Sequence, residues 1–477
     1  MVYSAPIYSA LIKYCEQNNL RLHMPGHIGG AGFIVKELKA LAAIDITEVP
    51  GLDDLHLPLE VIDQGQLLLA QAFGAKRSCF LVNGATSGIQ SLLLSLNPGD
   101  KILVSRNAHR SLFGGMVLSG VIPVYIPCQI DGETGVTLSV TGKSIEELLL
   151  LNNDIKAVFV TSPTYYGTVV DIKNFSEIAI DRLLFVDEAH GAHFPFHSSY
   201  PEPAIKNGAD AAVNGLHKTL PVLNQGACLH LADRADSFLN QDRLLSACSL
   251  LTTTSPSYPI LASIDLARKF MQEQGENYLE RALHLSNEYK VKINRVRGLR
   301  CYGEELKCFP GVMEIDPLKL LISVEDMDIN GFQMSYLLRY QYNIQVEMQE
   351  TNIILAMMSM FHERNDWDKL YHALLQIARD FFPSKKKKNS YKILPDPRVR
   401  LSPREAFFAD KRKVSFNQSC GLISGEIIAS YPPGIPCILP GEEISPEVFS
   451  YINYLKRSGA HIQGPKDPSL NYVNIID

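Results

Sequence analysis

The sequence predicts an α/β protein built on a doubly wound, mainly parallel sheet. Short apolar runs such as Lys101 to Ser105, Lys156 to Thr161 and Leu183 to Val186 recur in the first half of the chain, and helical patterns with short links separate them. This alternation is typical of parallel sheets that carry helices on their faces. Polar side chains follow several runs, at the strand ends where open α/β sheets bind ligands.

The composition is that of an ordinary globular enzyme. With 477 residues, of which 46% are hydrophobic and 20% charged, the chain is long enough for two or three domains. The net charge of -6 argues against a nucleic-acid surface, so we expect a small-molecule substrate. No apolar run approaches the roughly 20 residues of a membrane span, and residues 1–20 lack a signal peptide's apolar segment. We therefore expect a cytoplasmic protein without a membrane partner.

The cysteines and histidines do not predict a metal site. The nine cysteines are odd in number, scattered, and never spaced as Cys-x-x-Cys, which indicates reduced thiols. His190, His193 and His197 are closely spaced, but Pro195 separates the last two and no carboxylate stands at a familiar zinc spacing. We predict that His193 and His197 are structural.

Two irregular stretches near the N-terminus are candidates for the site. His23 to Gly30 is rich in Pro and Gly, which break regular structure and let backbone approach a ligand. The acidic stretch that follows contains Glu48, Asp53 and Asp54. Acidic loop residues are most often simply solvated, but these three are natural partners for a cationic substrate.

A phosphate-binding loop is predicted at residues 83–88. An apolar strand ends at Val82, and Gly84, Ala85, Thr86 and Ser87 lead into a helix expected from Ile89 to about Leu96. Backbone N–H groups at a helix start, together with two hydroxyls, form an anion cradle. The signal is weak alone because Ser and Thr cap helices generally.

Later strand ends add further candidates. His109 follows the run that ends at Ser105, and a flat imidazole is suited to stack on a pyridine ring. The alternative is a histidine that only caps a helix. Thr164 follows the run that ends at Thr161 and should reach the same edge of the sheet.

The most informative pair of motifs is Asp187-Glu188-Ala189-His190 and His217-Lys218. Each follows a short buried run, so we expect both at carboxyl ends of strands. Pyridoxal phosphate (PLP) needs a lysine to form a Schiff base, here Lys218, and a carboxylate to keep its ring nitrogen protonated, here Asp187. His190 is expected one helical turn past Asp187, beside the ring. A solvated lysine and an Asp-Glu helix cap are the alternatives.

The remainder predicts three domains. A long helix from about Ile264 to Ile293 should lead into a small α/β unit, with strands at 344–348 and 353–357. Four lysines at 385–388 mark a linker, and three prolines within 432–436 indicate an extended loop. We predict a large domain at 1–300, a small domain at 301–383 and a C-terminal domain at 391–477.

These motifs resemble the PLP-dependent ornithine/lysine/arginine decarboxylase family, in its shorter form without an N-terminal wing domain. The resemblance runs nearly end to end. It is carried by His23 to Gly30, Thr47 to His56, Asn83 to Gly88, Arg106 to Ser111, Ser162 to Gly167, Asp187 to His193, His217 to Pro221, Thr254 to Tyr258 and Tyr431 to Glu442.

The resemblance implies a PLP-dependent transferase fold of type I, like that of aspartate aminotransferase, with a small α/β domain and a C-terminal α+β domain. It implies that Lys218 binds PLP, Asp187 pairs with its ring nitrogen and His109 stacks on its face. Thr86 and Ser87 would hold the phosphate, and His217 would lie close to the reacting atoms. A homodimer or multiple of dimers, with sites at the interface, is also implied, and Thr254 to Tyr258 could reach the neighbour's cofactor.

The implied reaction is α-decarboxylation of a basic amino acid, with arginine, lysine and ornithine in that order, in polyamine-type metabolism. The candidates for binding the substrate are Glu48, Asp53, Asp54, Arg404 and Glu405. An aminotransferase on the same fold and a non-catalytic regulator are the alternatives.

The sequence departs from the family pattern at three positions. Ile28 replaces a usual lysine, and Gly215 and Leu216 stand where a serine and a small residue are usual. The missing serine removes a hydroxyl that could bind phosphate, worth roughly 1 to 3 kcal/mol if nothing replaces it. PLP affinity or substrate range is therefore expected to differ from those of better known members.

Overall fold

The computed structural model describes residues 4–382, 395–430 and 436–477. The chain forms two compact units, the first made of Met1–Leu96 with Ala179–Asn277 and the second of Asn97–Ile178 with Tyr278–Asp477. The predicted lysine linker at 385–388 and most of the proline-rich loop at 431–436 lie outside the described residues.

The secondary structure is mixed throughout. Within the described residues the α-helices are α1 (Pro6–Glu16), α2 (Lys36–Ala42), α3 (Val61–Phe73), α4 (Gly84–Leu94), α5 (Arg110–Ser119), α6 (Gly142–Leu151), α7 (Ile172–Ile178), α8 (Ala235–Phe238), α9 (Gln241–Leu251), α10 (Tyr258–Phe270), α11 (Glu276–Asn294), α12 (Gly331–Tyr342), α13 (Arg364–Asp380), α14 (Pro403–Phe408) and α15 (Pro446–Ser458).

The strands alternate with these helices. They are β1 (Arg77–Leu81), β2 (Lys101–Ser105), β3 (Ile122–Ile126), β4 (Gln129–Ile130), β5 (Thr137–Ser139), β6 (Ile155–Thr161), β7 (Thr168–Val170), β8 (Leu183–Asp187), β9 (Ala211–Asn214), β10 (Ala227–Leu231), β11 (Arg300–Cys301), β12 (Val312–Ile315), β13 (Lys319–Ser323), β14 (Met348–Gln349), β15 (Ile353–Met357), β16 (Lys411–Ser415), β17 (Ile423–Ser424), β18 (Ile428–Ser430), β19 (Pro436–Ile438), β20 (Ile462–Gln463) and β21 (Tyr472–Ile476).

The first unit places two parallel strands beside each other. Strands β8 and β9 pair in parallel, with Asp187 opposite Val213, and both are fully buried. Strand β10 then pairs antiparallel with β9 and with β1. Because β8 and β9 run in the same direction, the residues that follow them emerge at one edge of the sheet.

The second unit repeats this arrangement with three parallel strands. Strand β2 pairs in parallel with β3 and with β6. The segments that follow β2 and β6, which contain His109 and Thr164, therefore leave neighbouring strands at the same edge. The predicted mixed α/β fold with a mostly parallel sheet is confirmed.

Two of the apolar cores in the rest of the second unit correspond to the predicted later domains. One joins α12 and α13 to the antiparallel strands β11, β13, β15 and β14, around the buried Trp367. The other lies between α15 and the strands β16 to β21, around Phe416 and Ile452. These cores agree with a small α/β domain and a C-terminal α+β domain, whose boundaries stay a prediction.

Three predicted elements differ in detail. Helix α4 begins at Gly84 rather than Ile89, because Gly84 adopts a φ of +73° that turns the chain directly into the helix. The predicted long helix is interrupted by a π-helical turn at Met271–Gly275. The prediction of a strand at 344–348 is wrong. Asn343, with a φ of 53°, caps the end of α12, and the short strand that follows is Met348–Gln349.

Three further findings concern the cysteines, membrane spans and metal sites. All nine cysteines are free. Among the described residues, no helix is both long and apolar enough to cross a bilayer. The same part of the chain contains no group of three or more His, Cys, Asp or Glu side chains that could hold a metal ion.

Candidate active site

Lys218 lies at the carboxyl end of β9, on a short 3-10 turn formed by Leu216–Lys218. Its Nζ is 3.2 Å from Nε2 of His190. The two residues are 28 positions apart in sequence and follow neighbouring parallel strands. His190 is buried, but the chain after Asp187 is a turn rather than the expected helix.

Asp187 is the last residue of β8 and is 5% exposed. The backbone N–H of Ala189 donates to its Oδ1 at 3.1 Å. The carboxylate is thus fixed at the end of a buried strand, next to the strand that leads to Lys218. This is the placement that the two motifs predicted.

Glu188 is a site residue whose importance the sequence did not reveal. It is 3% exposed; its Oε1 accepts the Ala204 N–H at 2.8 Å and its Oε2 accepts Nδ2 of Asn214 at 3.3 Å. Burial, with a smaller contribution from the negative charge of Asp187, raises the pKa of Glu188 to about 8, against the hydrogen bonds from Ala204 and Asn214 that lower it. Glu188 is therefore largely protonated near neutral pH.

His217 is held in one tautomer. Its Nδ1 lies 3.0 Å from the carbonyl oxygen of Gly226, so Nδ1–H donates and Nε2 is left as an acceptor. Burial lowers the pKa of His217, and the positive charge of Lys218 lowers it further, against the opposing effect of the Gly226 hydrogen bond. The imidazole is therefore neutral at pH 7.

The predicted anion cradle lies at the N-terminus of α4, and its binding of phosphate stays a prediction. Its N-cap, Asn83, makes no side-chain cap hydrogen bond, so the first N–H groups of the helix are not capped by a side chain. Thr86 is exposed, whereas the Ser87 hydroxyl donates to the Gly84 carbonyl at 2.9 Å. There is open space where a Cβ on Gly84 would stand. Backbone N–H groups from Ala85 onward and Thr86 are thus better placed for an anion than the Ser87 hydroxyl.

His109 and Thr164 belong to the second unit. His109 is the N-cap of α5: its Nδ1 accepts the Ser111 N–H at 3.2 Å. His109 therefore caps α5, and its stacking on a cofactor stays a prediction. Thr164 is buried, and its hydroxyl lies 2.6 Å from that of Thr168.

The acidic candidates near the N-terminus differ in how many hydrogen bonds their carboxylates already accept. Asp53 accepts backbone N–H groups of Asp54, Leu59, Glu60 and Ile62. Burial raises the pKa of Asp53, but these hydrogen bonds outweigh it and the net pKa is lowered. Glu48 accepts the Thr47 hydroxyl through Oε2, and its buried Oε1 has no hydrogen-bond partner among the described residues. Asp54 caps the His56 N–H at 2.8 Å.

The C-terminal candidates have structural partners. Arg404 donates to the carbonyl oxygens of Val117 and Leu118, at 3.3 Å and 2.9 Å. Glu405 forms a capping box at the start of α14 with the Ser402 N–H and hydroxyl. Both side chains therefore stabilise α14.

The three departures from the family pattern have different surroundings. A Cβ on Gly215 would lie 3.1 Å from the Ala189 carbonyl oxygen and 3.2 Å from Cδ of Lys218. Glycine at this position therefore leaves space for the Lys218 side chain. Leu216 is buried, and Ile28 is exposed with a φ of 48°, a conformation that disfavours β-branched residues.

The groups of the first unit fit PLP. This cofactor has three polar parts: its aldehyde, its ring nitrogen and its phosphate. The first unit offers an amine beside an imidazole for the aldehyde, a buried carboxylate at the next strand end for the ring nitrogen, and an open helix N-terminus for the phosphate. The donor set is chemically complete without a metal ion.

Comparison with protein families gives matches over most of the chain. Residues 5–366 match the model "Orn/Lys/Arg decarboxylase, major domain", and residues 384–465 match "Orn/Lys/Arg decarboxylase, C-terminal domain". An arginine decarboxylase of Bacillus subtilis is 35% identical over 483 residues, covering 99% of this chain and 98% of that protein. A lysine decarboxylase of Hafnia alvei is 23% identical and covers 96% of this chain and 76% of that protein.

Solved structures share the fold. The lysine decarboxylase of Francisella novicida superposes with a TM-score of 0.86 at 21% identity, covering 99% of this chain and 81% of that chain. An aspartate aminotransferase of Thermus thermophilus covers 72% of this chain and 95% of that chain at 14% identity, with a TM-score of 0.55. The fold is therefore that of the PLP-dependent type I enzymes.

Proposed function

Because the chain belongs to the Orn/Lys/Arg decarboxylase family, we propose that it is a PLP-dependent enzyme that removes the α-carboxylate of a basic amino acid, with arginine as the first candidate. The observation that carries the proposal is the contact between Lys218 and His190 at the end of β9, beside the strand that ends in Asp187. Two relatives that are 35% and 34% identical to this chain are named arginine decarboxylases, which supports arginine before lysine and ornithine.

The cofactor, when bound, supplies an electron-withdrawing ring that accepts the electron pair left by departing carbon dioxide. Lys218 would hold its aldehyde carbon through Nζ, with the neighbouring His190 imidazole as acceptor for the ammonium. Asp187 would keep a proton on the ring nitrogen. The neighbouring Glu188, largely protonated near neutral pH, would add little negative charge beside it.

The proton that replaces carbon dioxide on Cα needs a donor. His217 is neutral at pH 7 and its Nδ1–H is already given to the Gly226 carbonyl oxygen. Lys218 carries its amine on a flexible four-carbon side chain. We therefore assign Cα protonation to Lys218, and we assign to His217 a role in accepting a hydrogen bond through Nε2.

The positive charge on the substrate's side chain needs an acidic partner, and we assign this role first to Glu48. Its buried Oε1 has no partner among the residues described, and a guanidinium would supply the missing donors. Asp54 is a second candidate. Asp53 is less suited because four backbone N–H groups already occupy its carboxylate.

We propose that the enzyme is a homodimer. The N-terminal part of the first unit exposes a series of large apolar side chains, which an isolated chain would leave in water. They are Leu20, Leu22, Met24, Ile28, Ile34, Val35, Leu38, Leu41, Leu57 and Leu59. The loop at 253–255 is exposed and could reach a neighbouring site, whereas Tyr258 is fully buried and donates to the Asp53 carbonyl oxygen.

The deciding experiment is a product assay with a panel of amino acids. Purified protein supplied with PLP should show the cofactor's absorbance and release carbon dioxide and the matching amine from arginine. Release of a keto acid without carbon dioxide would indicate an aminotransferase. Absence of any product from the panel would favour the non-catalytic alternative.

Lys218→Ala is the matching variant. It should lose measurable turnover, because the amine proposed to hold the cofactor is removed, while the protein stays folded. Lys206→Ala, a lysine at the surface of the same unit, is the control. Full activity in Lys218→Ala would contradict the proposal.

A further inference from the structure

Asn214 and Glu188 form a buried pair to which the proposed chemistry gives no part. Asn214 is the last residue of β9, four positions before Lys218, and Glu188 directly follows Asp187 at the end of β8. Asn214 is fully buried and Glu188 is 3% exposed. These residues and His190 all belong to the first unit, so every contact considered below lies within that unit.

The side-chain amide of Asn214 joins the two strand ends. Its Nδ2 donates to the carbonyl oxygen of Glu188 at 2.9 Å and to the carboxyl oxygen Oε2 of the same residue at 3.3 Å. The Glu188 N–H in turn donates to the Val213 carbonyl oxygen at 3.0 Å. These hydrogen bonds connect the first residue after β8 to the last two residues of β9.

Glu188 also supports the turn that carries His190. The Gly191 N–H donates to the Glu188 carbonyl oxygen at 2.9 Å, and Oε1 of Glu188 accepts the Ala204 N–H at 2.8 Å. A Cβ on Gly191 would lie 2.7 Å from Cγ of Glu188, so the Glu188 side chain packs directly against the turn. From this turn the His190 ring reaches Nζ of Lys218 at 3.2 Å.

Stability alone does not account for an amide at position 214. Oδ1 of Asn214 is buried and has no hydrogen-bond partner among the residues that the structure describes. A buried polar atom without a partner lowers stability. The hydrogen bonds that Asn214 does make go to Glu188, and they connect the segment that carries the amine to the segment that carries the imidazole in contact with it.

We propose that Asn214 and Glu188 are positioning residues that set the contact between His190 and Lys218. The inference rests on the proposed function, in which Lys218 binds PLP, and it deepens that function by assigning the support of this lysine to two buried neighbours. Asn214 fixes the separation of the two strand ends, and Glu188 fixes the turn on which His190 stands. Because a lysine side chain is flexible, holding its Nζ in place before the cofactor arrives lowers the entropic cost of binding.

The test measures PLP affinity and the absorbance of bound PLP in Asn214→Ala, His190→Ala and the double variant. Loss of a residue that orients a binding group lowers affinity about 10-fold to 100-fold at comparable sites. We expect Asn214→Ala to weaken PLP binding about tenfold and to shift the absorbance in the native background, but to change PLP affinity less than about twofold when His190 is already alanine. Equal effects in both backgrounds would overturn the proposal.

Two substitutions of Glu188 give a second comparison that does not depend on the folding of Asn214→Ala. Glu188→Gln keeps a side chain of the same length that can still accept the Ala204 N–H. It should keep PLP affinity within about twofold of the native value, whereas Glu188→Ala should weaken PLP binding about tenfold. Native PLP affinity in Glu188→Ala would contradict the positioning role.

Ser78→Ala is the matched control for loss of stability. It removes a buried hydrogen bond of 2.6 Å between Ser78 and His230 in the same unit, so it should lower the melting temperature of the PLP-free protein and leave PLP affinity unchanged. If PLP affinity fell with melting temperature in Ser78→Ala as well, the effects would be purely structural and the inference would be rejected. Failure of the native protein to bind PLP would reject the proposed function, whereas native binding with equal effects in both backgrounds would reject only this inference.

Discussion

At the scale of single residues, the site depends on charges whose states are set by burial. Glu188 and His217 follow the neighbouring strands β8 and β9, and burial shifts the pKa of each side chain away from its charged form. Burial keeps Glu188 protonated and His217 neutral. These two side chains therefore add little charge to the candidate site near pH 7, and Asp187 is the carboxylate that we propose for the cofactor's ring nitrogen.

Asp187→Asn tests this assignment. The amide keeps the shape and can still accept the Ala189 N–H, but it cannot stabilise a positive charge on a ring nitrogen. We expect turnover of arginine to fall by about 10² to 10³, while Lys218 still binds PLP with a shifted absorbance band. The amount of amine product formed in a fixed time measures the loss of turnover. Turnover within a few-fold of the native value would remove Asp187 from the mechanism.

Glu188 makes stability depend on pH. Its folded pKa of about 8 lies above the ordinary value of 4.5, so between these values the folded protein retains a proton that the unfolded chain releases. Stability therefore falls as pH rises through this window, by up to about 1.4 kcal/mol per pH unit. In Glu188→Gln this contribution is absent, so its free energy of unfolding relative to the native protein should rise from pH 5 to pH 8. Urea titrations of PLP-free protein at both pH values measure it, and a constant difference would contradict the raised pKa.

At the scale of elements, the loop at residues 47–60 is organised by one carboxylate. Asp53 has a φ of 67° and accepts N–H groups on both sides of the turn into α3. Asp53→Ala should remove the acceptor of four backbone N–H groups around the start of α3 and destabilise the protein by about 0.5 to 2 kcal/mol. Chemical denaturation measures the change. Asp63→Ala, an exposed carboxylate in the first turn of α3, is the control and should cost less than about 0.5 kcal/mol.

The sequence predicted the strands that lead to the candidate site better than it predicted which side chains from distant segments pair with each other. Strands β2 and β15 have the predicted bounds, and β8 and β9 differ by one residue, because apolar runs between polar ends show where a buried strand begins and stops. Partners from distant segments could not be predicted: nothing near Arg106 indicates its buried ion pair with Glu442, and nothing near Asp53 indicates that its carboxylate would cap α3. The strand expected at 344–348 failed because Asn343 in the left-handed region ends α12 and changes the path of the chain.

The same distinction applies to side chains at the site. The spacing of Asp187 and Lys218 predicted that both stand at neighbouring strand ends, since strand direction determines where the chain emerges. It could not distinguish the engaged Ser87 hydroxyl from the exposed Thr86 hydroxyl. Hydrogen bonds within a turn depend on φ and rotamer, which residue type alone does not determine.

At the scale of the whole molecule, oligomeric state follows from exposed apolar surface. Side chains such as Leu22 and Ile34 are 86% and 96% exposed, and each large aliphatic side chain buried at an interface contributes on the order of 1.5 to 3 kcal/mol. We therefore expect the native protein to sediment at twice the mass of one chain. Leu22→Glu combined with Ile34→Glu should shift it to monomer by placing two charges in the contact.

Activity must follow assembly if the sites are shared between chains. The monomeric variant should lose most of its turnover, whereas Leu150→Glu, at an exposed apolar position of α6 in the second unit, should keep both mass and activity. Sedimentation velocity and amine release on the same samples test the two consequences together. A native protein that sediments as a single chain with full activity would exclude the dimer, and a monomeric variant with full turnover would show that each chain completes its own site.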